Sequence, residues 1–464
     1  MDNKKNQNLM KGMLIYAIGN FGTKILSFLI VPLYTYYIST SDMGTYDLLI
    51  STVSLLTPII TLQIADAAYS FMIRDRIDHK LCVASSMQLL LFNSIISVLV
   101  IVGVNLFFPI PYFWDFILLS VTTNILSVVQ RMLRGVKNQK LFAISGVIYT
   151  AVFLTLNVVQ ITVLKQGVRS LLTSAIIANV VSLGSIYLLE KKMRVFIFKK
   201  PDMPAIKEML QFSIPLIPNQ LNWWAINSSN RYVIALFLGS DANGVFAISY
   251  KFPTILQLIL SLFNTSWQDV VVADKEDSGA YYTSVFRTLY LLSFTLLLPL
   301  IPATKLVILW FMEQSYHSAA LYVAFLYLGT VFQSFASFYG VGYLRGKDTK
   351  RASTTSIYGA VVNLIVLIGL VKFIGLQAAA ISTFIGFLVM WLVRERHNRK
   401  ELGIKIRWGE FLACFLPVLA LCVAACYTTI LIDCILTVAG GIAFLVINRK
   451  MIMDLVGKVL KKGR

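Results

Sequence analysis

Long apolar runs follow one another along almost the whole of this chain, and they restrict what it can become. A helix that crosses a bilayer needs about 20 predominantly apolar residues. Fourteen such runs can be read, at about 12–38, 43–71, 82–108, 113–133, 141–164, 168–189, 209–238, 244–271, 284–311, 318–344, 352–373, 376–393, 409–430 and 432–448. The seventh and eighth are the least apolar, and the last is short. The linkers are mostly brief, so neither side has room for a sizeable soluble domain. Composition agrees: 57% of the 464 residues are hydrophobic and 14% charged, against about half and a quarter in soluble domains. The same figures exclude a disordered chain, a disulfide-stapled secreted module and a coiled coil. The expected fold class is all-α, a polytopic membrane protein with about 14 transmembrane helices. The run from Met13 to Ile38 is too long for a signal-peptide core and lacks a small-residue cleavage site, so it should remain as the first span.

The charge of +19, from 41 Lys and Arg against 22 Asp and Glu, would suggest nucleic acid in a soluble protein. Here its placement says otherwise. With the N-terminus in the cytoplasm and the runs alternating, 34 of the 41 cations fall in cytoplasmic segments. Lys165, Arg169 and Lys372 fall outside, and Lys24, Arg231, Lys251 and Lys305 fall within apolar runs. Cytoplasmic loops of membrane proteins carry this excess. Both termini are therefore expected in the cytoplasm. The loop pattern also supports the span count, since one helix more or fewer in the middle would put basic loops on both faces. No nucleic-acid partner is expected.

The five cysteines, Cys82, Cys414, Cys422, Cys426 and Cys434, lack the polar support of a metal site and read as small apolar residues. No metal or catalytic site is expected, and no enzyme activity. His79, His317 and His397 lie in loops near helix ends, and no phosphate-binding glycine loop followed by lysine occurs.

The chain repeats itself. Residues 38–46 read ISTSDMGTY and residues 238–246 read LGSDANGVF. Leu133-Arg134-Gly135, with Lys140 beyond, matches Leu344-Arg345-Gly346, with Lys350 and Arg351 beyond. Gly167-Val168-Arg169-Ser170-Leu171 matches Gly375-Leu376-Gln377-Ala378-Ala379. The order is kept and the offsets are similar, which marks an internal repeat. The unit is six spans, an even number, so the halves share an orientation and a pseudo-twofold along the membrane normal is expected. Expected domains are 1–195 (six spans), 196–400 (six spans) and 401–464 (two spans and a basic amphipathic tail lying on the inner leaflet). Two lobes that rock about a central path are a transporter plan.

Several features resemble one known family. They are Asn20-Phe21-Gly22 with Pro32, Ser41-Asp42-Met43-Gly44-Thr45-Tyr46, Leu133-Arg134-Gly135, Ser266-Trp267-Gln268 and Leu344-Arg345-Gly346. As an ordered set the chain resembles the Wzx-type polysaccharide repeat-unit flippases of O-antigen and capsule assembly. These belong to the superfamily that also holds the MATE exporters. Asp269-Val270-Val271 stands where many relatives place proline. The resemblance implies a MATE-like fold in the bacterial cytoplasmic membrane. It implies a cargo of oligosaccharide on polyprenyl diphosphate, turned from the inner to the outer leaflet by alternating access. It implies membrane lipids as surroundings, with a polysaccharide polymerase and a chain-length regulator as partners of a monomeric protein. No cofactor is expected beyond Na+ or H+ as a coupling ion. Alternatives are a peptidoglycan-precursor flippase or a MATE-type ion-coupled small-molecule exporter. From another class, a membrane polysaccharide polymerase or acyltransferase should carry a long outer loop, which is missing here.

Ionisable groups within spans are costly and face a cavity or a partner. Lys24 and Asn20 share a face of the first span. On the seventh, Asn219, Trp223, Asn227, Asn230 and Arg231 cluster on one side, and Lys251 lies on the eighth. These eight form the expected substrate cavity: cations for a diphosphate, amides for sugar hydroxyls, an indole face for a sugar ring. The competing reading has amides gluing helices together and Lys24 paired with Asp47. Asp47, Asp66, Asp269 and Arg74 are the candidates for a gate or for ion coupling, with static ion pairs as the plain alternative. Lys305 is expected to snorkel outward.

Overall fold

The structure is a computed structural model, and it describes residues 28–73, 77–193, 202–273, 279–345, 348–449 and 453. Among these residues there are sixteen α-helices and no strands. Eleven stretches of the described residues are long and apolar enough to cross a membrane. One of them, 203–268, contains a break at Gly239, where φ is 88°. The first expected span lies mostly outside the described residues.

The chain divides into two compact units, residues 1–224 and 225–464. The first contains α1 (Val31–Tyr37), α2 (Thr40–Ile60), α3 (Ile64–Ile73), α4 (His79–Phe107), α5 (Phe113–Gly135), α6 (Gln139–Val158), α7 (Arg169–Leu189), α8 (Met203–Ser213) and the start of α9 (Ile217–Ser228). The second contains the end of α9 and then α10 (Asn230–Ala273), α11 (Gly279–Phe311), α12 (Val323–Arg345), α13 (Thr349–Ile374), α14 (Gln377–Asn398), α15 (Trp408–Ala424) and α16 (Ile430–Ile447).

Short polar side chains start many of these helices by accepting from otherwise orphaned amides. Ser39 caps α2, Asp78 α4, Asn138 α6, Asp202 α8 and Asp348 α13. The repeat read from the sequence has local counterparts. The Asn138 amide donates to the Leu133 carbonyl at 3.0 Å, and the Asp348 amide to the Tyr343 carbonyl at 2.9 Å. Each bond joins the last turn of one helix to the residue that caps the next. Gly167 and Gly375 have φ of 57° and 56° and stand two residues before α7 and α14. That backbone region is open to glycine and costly to other residues.

The expected second span, 43–71, is not one continuous helix. It breaks between α2 and α3, where Leu62 (φ 47°) and Gln63 (φ 53°) adopt left-handed backbone. The Asn93 side chain on α4 donates to the freed Ile60 carbonyl at 3.1 Å. One apolar layer of the first unit joins α3, α4, α5 and α8 through Phe71, Met72, Leu90, Val129, Met132 and Met209. Another joins α2, α4, α5 and α7 through Leu49, Ile101, Phe116 and Leu172.

Aromatic rings fill the core of the second unit. Trp391 of α14 stacks on Phe411 of α15, with centroids 5.2 Å apart. Phe286 of α11 meets Phe335 of α12 edge-on at 5.4 Å. Trp267 lies flat on Phe338 at 4.1 Å, and its indole N–H donates to the Phe338 carbonyl. Arg394 is buried among α12, α13 and α14, donating to the Ala336 carbonyl at 2.9 Å and to the Thr355 and Ser356 hydroxyls at 3.0 Å. Gly340 makes room for it, since a Cβ there would sit 2.7 Å from Arg394 Nη1.

Lys305 does not snorkel. It is buried, and its ammonium donates to the carbonyls of Ala425 (3.0 Å) and Thr428 (2.7 Å) and lies 2.9 Å from Asp433. A carboxylate 128 positions further along supplies the partner that solvent would otherwise provide.

Candidate functional site

In the first unit the charged groups gather around α3 and α5. Asp66 pairs with Arg131, and the Arg131 and Arg134 guanidinium carbons lie 5.2 and 5.3 Å from the centre of the Tyr69 ring. Asp66, Tyr69 and the break at Leu62–Gln63 thus occupy one short stretch of chain. Arg74, another gate candidate, lies outside the described residues, as do Asn20 and Lys24. Asp47 is half-buried, two turns into α2. Arg169 Nε donates to Asp115 at 3.0 Å, linking the first turns of α7 and α5. Asn219 and Trp223 are half-buried on α9. The indole of the next residue, Trp224, donates to the Ser51 carbonyl at 3.0 Å.

In the second unit Arg231 is buried at the start of α10. Its Nη1 donates to the Asn227 carbonyl at 2.7 Å, and its guanidinium lies 5.0 Å from the centre of the Tyr250 ring. The Tyr250 hydroxyl donates to Asn227 Oδ1 at 3.2 Å. A cation over an aromatic face gains most when both are desolvated. Lys251, next in the chain, is half-buried. Asn230 is engaged in helix packing: its amide donates to the Thr383 hydroxyl at 2.7 Å, and its Oδ1 accepts from Asn363 at 3.1 Å. The side chain of Asp269 lies outside the described residues.

The sequence reading passed over several polar side chains close to this cluster. Gln333 of α12 approaches Asn227 Oδ1 at 3.5 Å and accepts from Gln257 of α10 at 3.1 Å. Asn264 of α10 donates to the Ser334 hydroxyl at 2.9 Å. A signal was present: Gln257, Ser261, Asn264 and Gln268 are spaced 4, 3 and 4 apart, which puts them on one helical face.

Comparison with known proteins places the chain. A family model described as polysaccharide biosynthesis protein matches residues 9–272, more than half of its length. The chain belongs to that family. No curated protein matches it in sequence. Among solved structures it is similar to the lipid II flippase MurJ in an inward closed conformation, with a TM-score of 0.66 at 13% identity over 96% of this chain and 100% of that one. It is also similar to an inward-facing multidrug resistance MATE family transporter, with a TM-score of 0.65 at 14% identity over 82% and 94%. An outward-facing MATE structure gives 0.57 at 16% identity over 85% and 96%. At such identities these likenesses concern the fold, and the fold is that of MurJ and the MATE transporters. The chain is a multi-pass membrane protein with that fold.

Proposed function

We propose that this chain flips a polyprenyl-diphosphate-linked oligosaccharide from the inner to the outer leaflet of the bacterial cytoplasmic membrane. The observation that carries the reading is the buried Arg231, set against Asn227 and Tyr250 in a protein of the polysaccharide biosynthesis family. A permanent cation inside a span is expensive and marks a substrate or ion path. A guanidinium matches the oxygens of a diphosphate. In this reading Lys24 and Lys251 add charge, and Asn219, Trp223 and Asn227 meet the sugar. Transport proceeds by alternating access and draws on a Na+ or H+ gradient, with Asp47, Asp66 and Asp269 as coupling or gating carboxylates. A polymerase and a chain-length regulator would take up the product.

The test is a deletion strain. It should lose its surface polysaccharide and accumulate lipid-linked repeat units on the inner leaflet, and normal surface polymer would refute the proposal. Complementation with Arg231→Ala or Lys24→Ala should fail while membrane levels stay normal. The MurJ-like fold favours a second reading, transport of a peptidoglycan precursor. That reading requires lysis on depletion, with surface polysaccharide unaffected.

A further inference from the structure

A groove runs between α10 and α12. Gln257, Ser261, Asn264 and Gln268 line one wall. At 100° per residue they fall within an arc of about 60°. Thr330, Ser334 and Ser337 line the other wall with the same spacing, and Gln333 stands beside them. Two packed membrane helices ordinarily meet through small residues with little space between them. These two walls are hydrogen-bonded at Gln257 to Gln333 and at Asn264 to Ser334, and leave a cavity of about 280 Å³. At about 30 Å³ each, that is room for roughly nine waters. Asn264 Oδ1 is buried there without a hydrogen-bond partner. No ionisable side chain is found among the described residues that line the groove.

We propose that this groove seats the uncharged sugar residues of the cargo, while the cations hold its diphosphate. The inference rests on the flippase reading above. Amides and hydroxyls both donate and accept, as sugar hydroxyls do. A wall without charge discriminates poorly for a diphosphate or a metal ion, and well for a neutral polyol. The groove also starts where the cation lies. Gln333 approaches Asn227, whose carbonyl accepts from Arg231. From Gln257 to Gln268 the α10 wall rises about 16 Å at 1.5 Å per residue. The diphosphate would sit near Arg231, with the distal sugars reaching along the wall toward Gln268.

The test uses the full-length protein in proteoliposomes and two probes. One is the lipid-linked repeat unit extracted from a polymerase-deficient strain of the source organism. The other is polyprenyl diphosphate bearing only the first sugar. Gln268→Leu removes an amide at the far end of the groove, and Ser337→Phe fills the groove, neither removing any bond described above. Each should lower flipping of the full repeat unit by about tenfold, the scale of one or two lost hydrogen bonds. Flipping of the one-sugar lipid should stay within about twofold of the parent, and the melting temperature of Ser337→Phe should be unchanged. Equal losses for both lipids, or no loss for either, would overturn the assignment of the groove. If the unmutated protein flips neither lipid, the flippase reading itself fails.

Discussion

Lys305 Nζ lies 2.9 Å from Asp433 Oδ2, with the two side chains 9% and 1% exposed. The pair joins α11 to the first turn of α16, and Thr428 between α15 and α16 donates its hydroxyl to Asp433 Oδ1 at 2.6 Å. Removing one member of a buried pair strands the other charge, at a cost of about 3–5 kcal/mol. Asp433→Asn or Lys305→Met alone should therefore lower the melting temperature sharply in detergent. The double variant Lys305→Met with Asp433→Leu should recover most of the loss, because an apolar replacement of both partners is often neutral. Thermal unfolding of the three purified variants decides it. A double variant no better than either single one would show that Lys305 matters for its carbonyl contacts rather than for the pair.

The same residues show where sequence reading succeeds and where it stops. The apolar helices and parts of the turn chemistry were legible because hydropathy and backbone preference are local properties. Gly167 and Gly375 are a clear case: one motif, 208 residues apart, gives a glycine at positive φ twice. The fate of Lys305 was not legible, because its partner arrives from a distant helix. The break at Leu62–Gln63 was hidden too, since neither residue is a glycine or a proline. For the site, Arg231 and Asn227 stood out as polar residues in an apolar run, and they do lie together. The α10–α12 groove went unseen because its amides and hydroxyls are individually ordinary, and only the pairing of two helices gives them a common space.

The two repeat-related glycines give the next prediction. A Cβ at Gly167 or Gly375 would meet nothing within 4 Å, so steric contact cannot explain a loss there. What remains is backbone: an L-residue at positive φ costs about 1–2 kcal/mol. Gly167→Ala and Gly375→Ala should each destabilise by that amount. At Gly375 ψ is −135°, outside the left-handed helical region that Asn tolerates, so Asn there should gain nothing over Ala. Equilibrium unfolding of the three variants tests it, and equal stability of Ala and Gly forms would contradict the backbone argument.

Lys137 offers the converse. It is exposed, has φ of 61°, and occupies the left-handed position that closes α5. Its amide donates to the Arg134 carbonyl and the Asn138 amide to the Leu133 carbonyl, the paired bonds of a Schellman stop. Glycine is the preferred residue there. Lys137→Gly should stabilise the protein by about 0.5–1 kcal/mol, less whatever chain entropy glycine adds to the unfolded state. A lowered melting temperature would mean that the lysine side chain contributes more than its backbone conformation costs.

Asp66 and Arg131 remain partly exposed, at 22% and 39% of their side chains, so their pair should contribute at most about 1 kcal/mol to stability. This separates structure from transport in a way Lys305 and Asp433 do not. Asp66→Asn should leave the melting temperature nearly unchanged. If the pair closes a gate in the transport cycle, that substitution should lower flipping by about tenfold, the equivalent of 1.4 kcal/mol of coupling. Reversing the charges with Asp66→Arg and Arg131→Asp together should then restore at least half of the activity. Failure of the reversed pair, with protein levels intact, would mean that Asp66 acts as a carboxylate in its own place, as a coupling site for an ion requires. Flipping measured across a Na+ or pH gradient would then show which ion it takes.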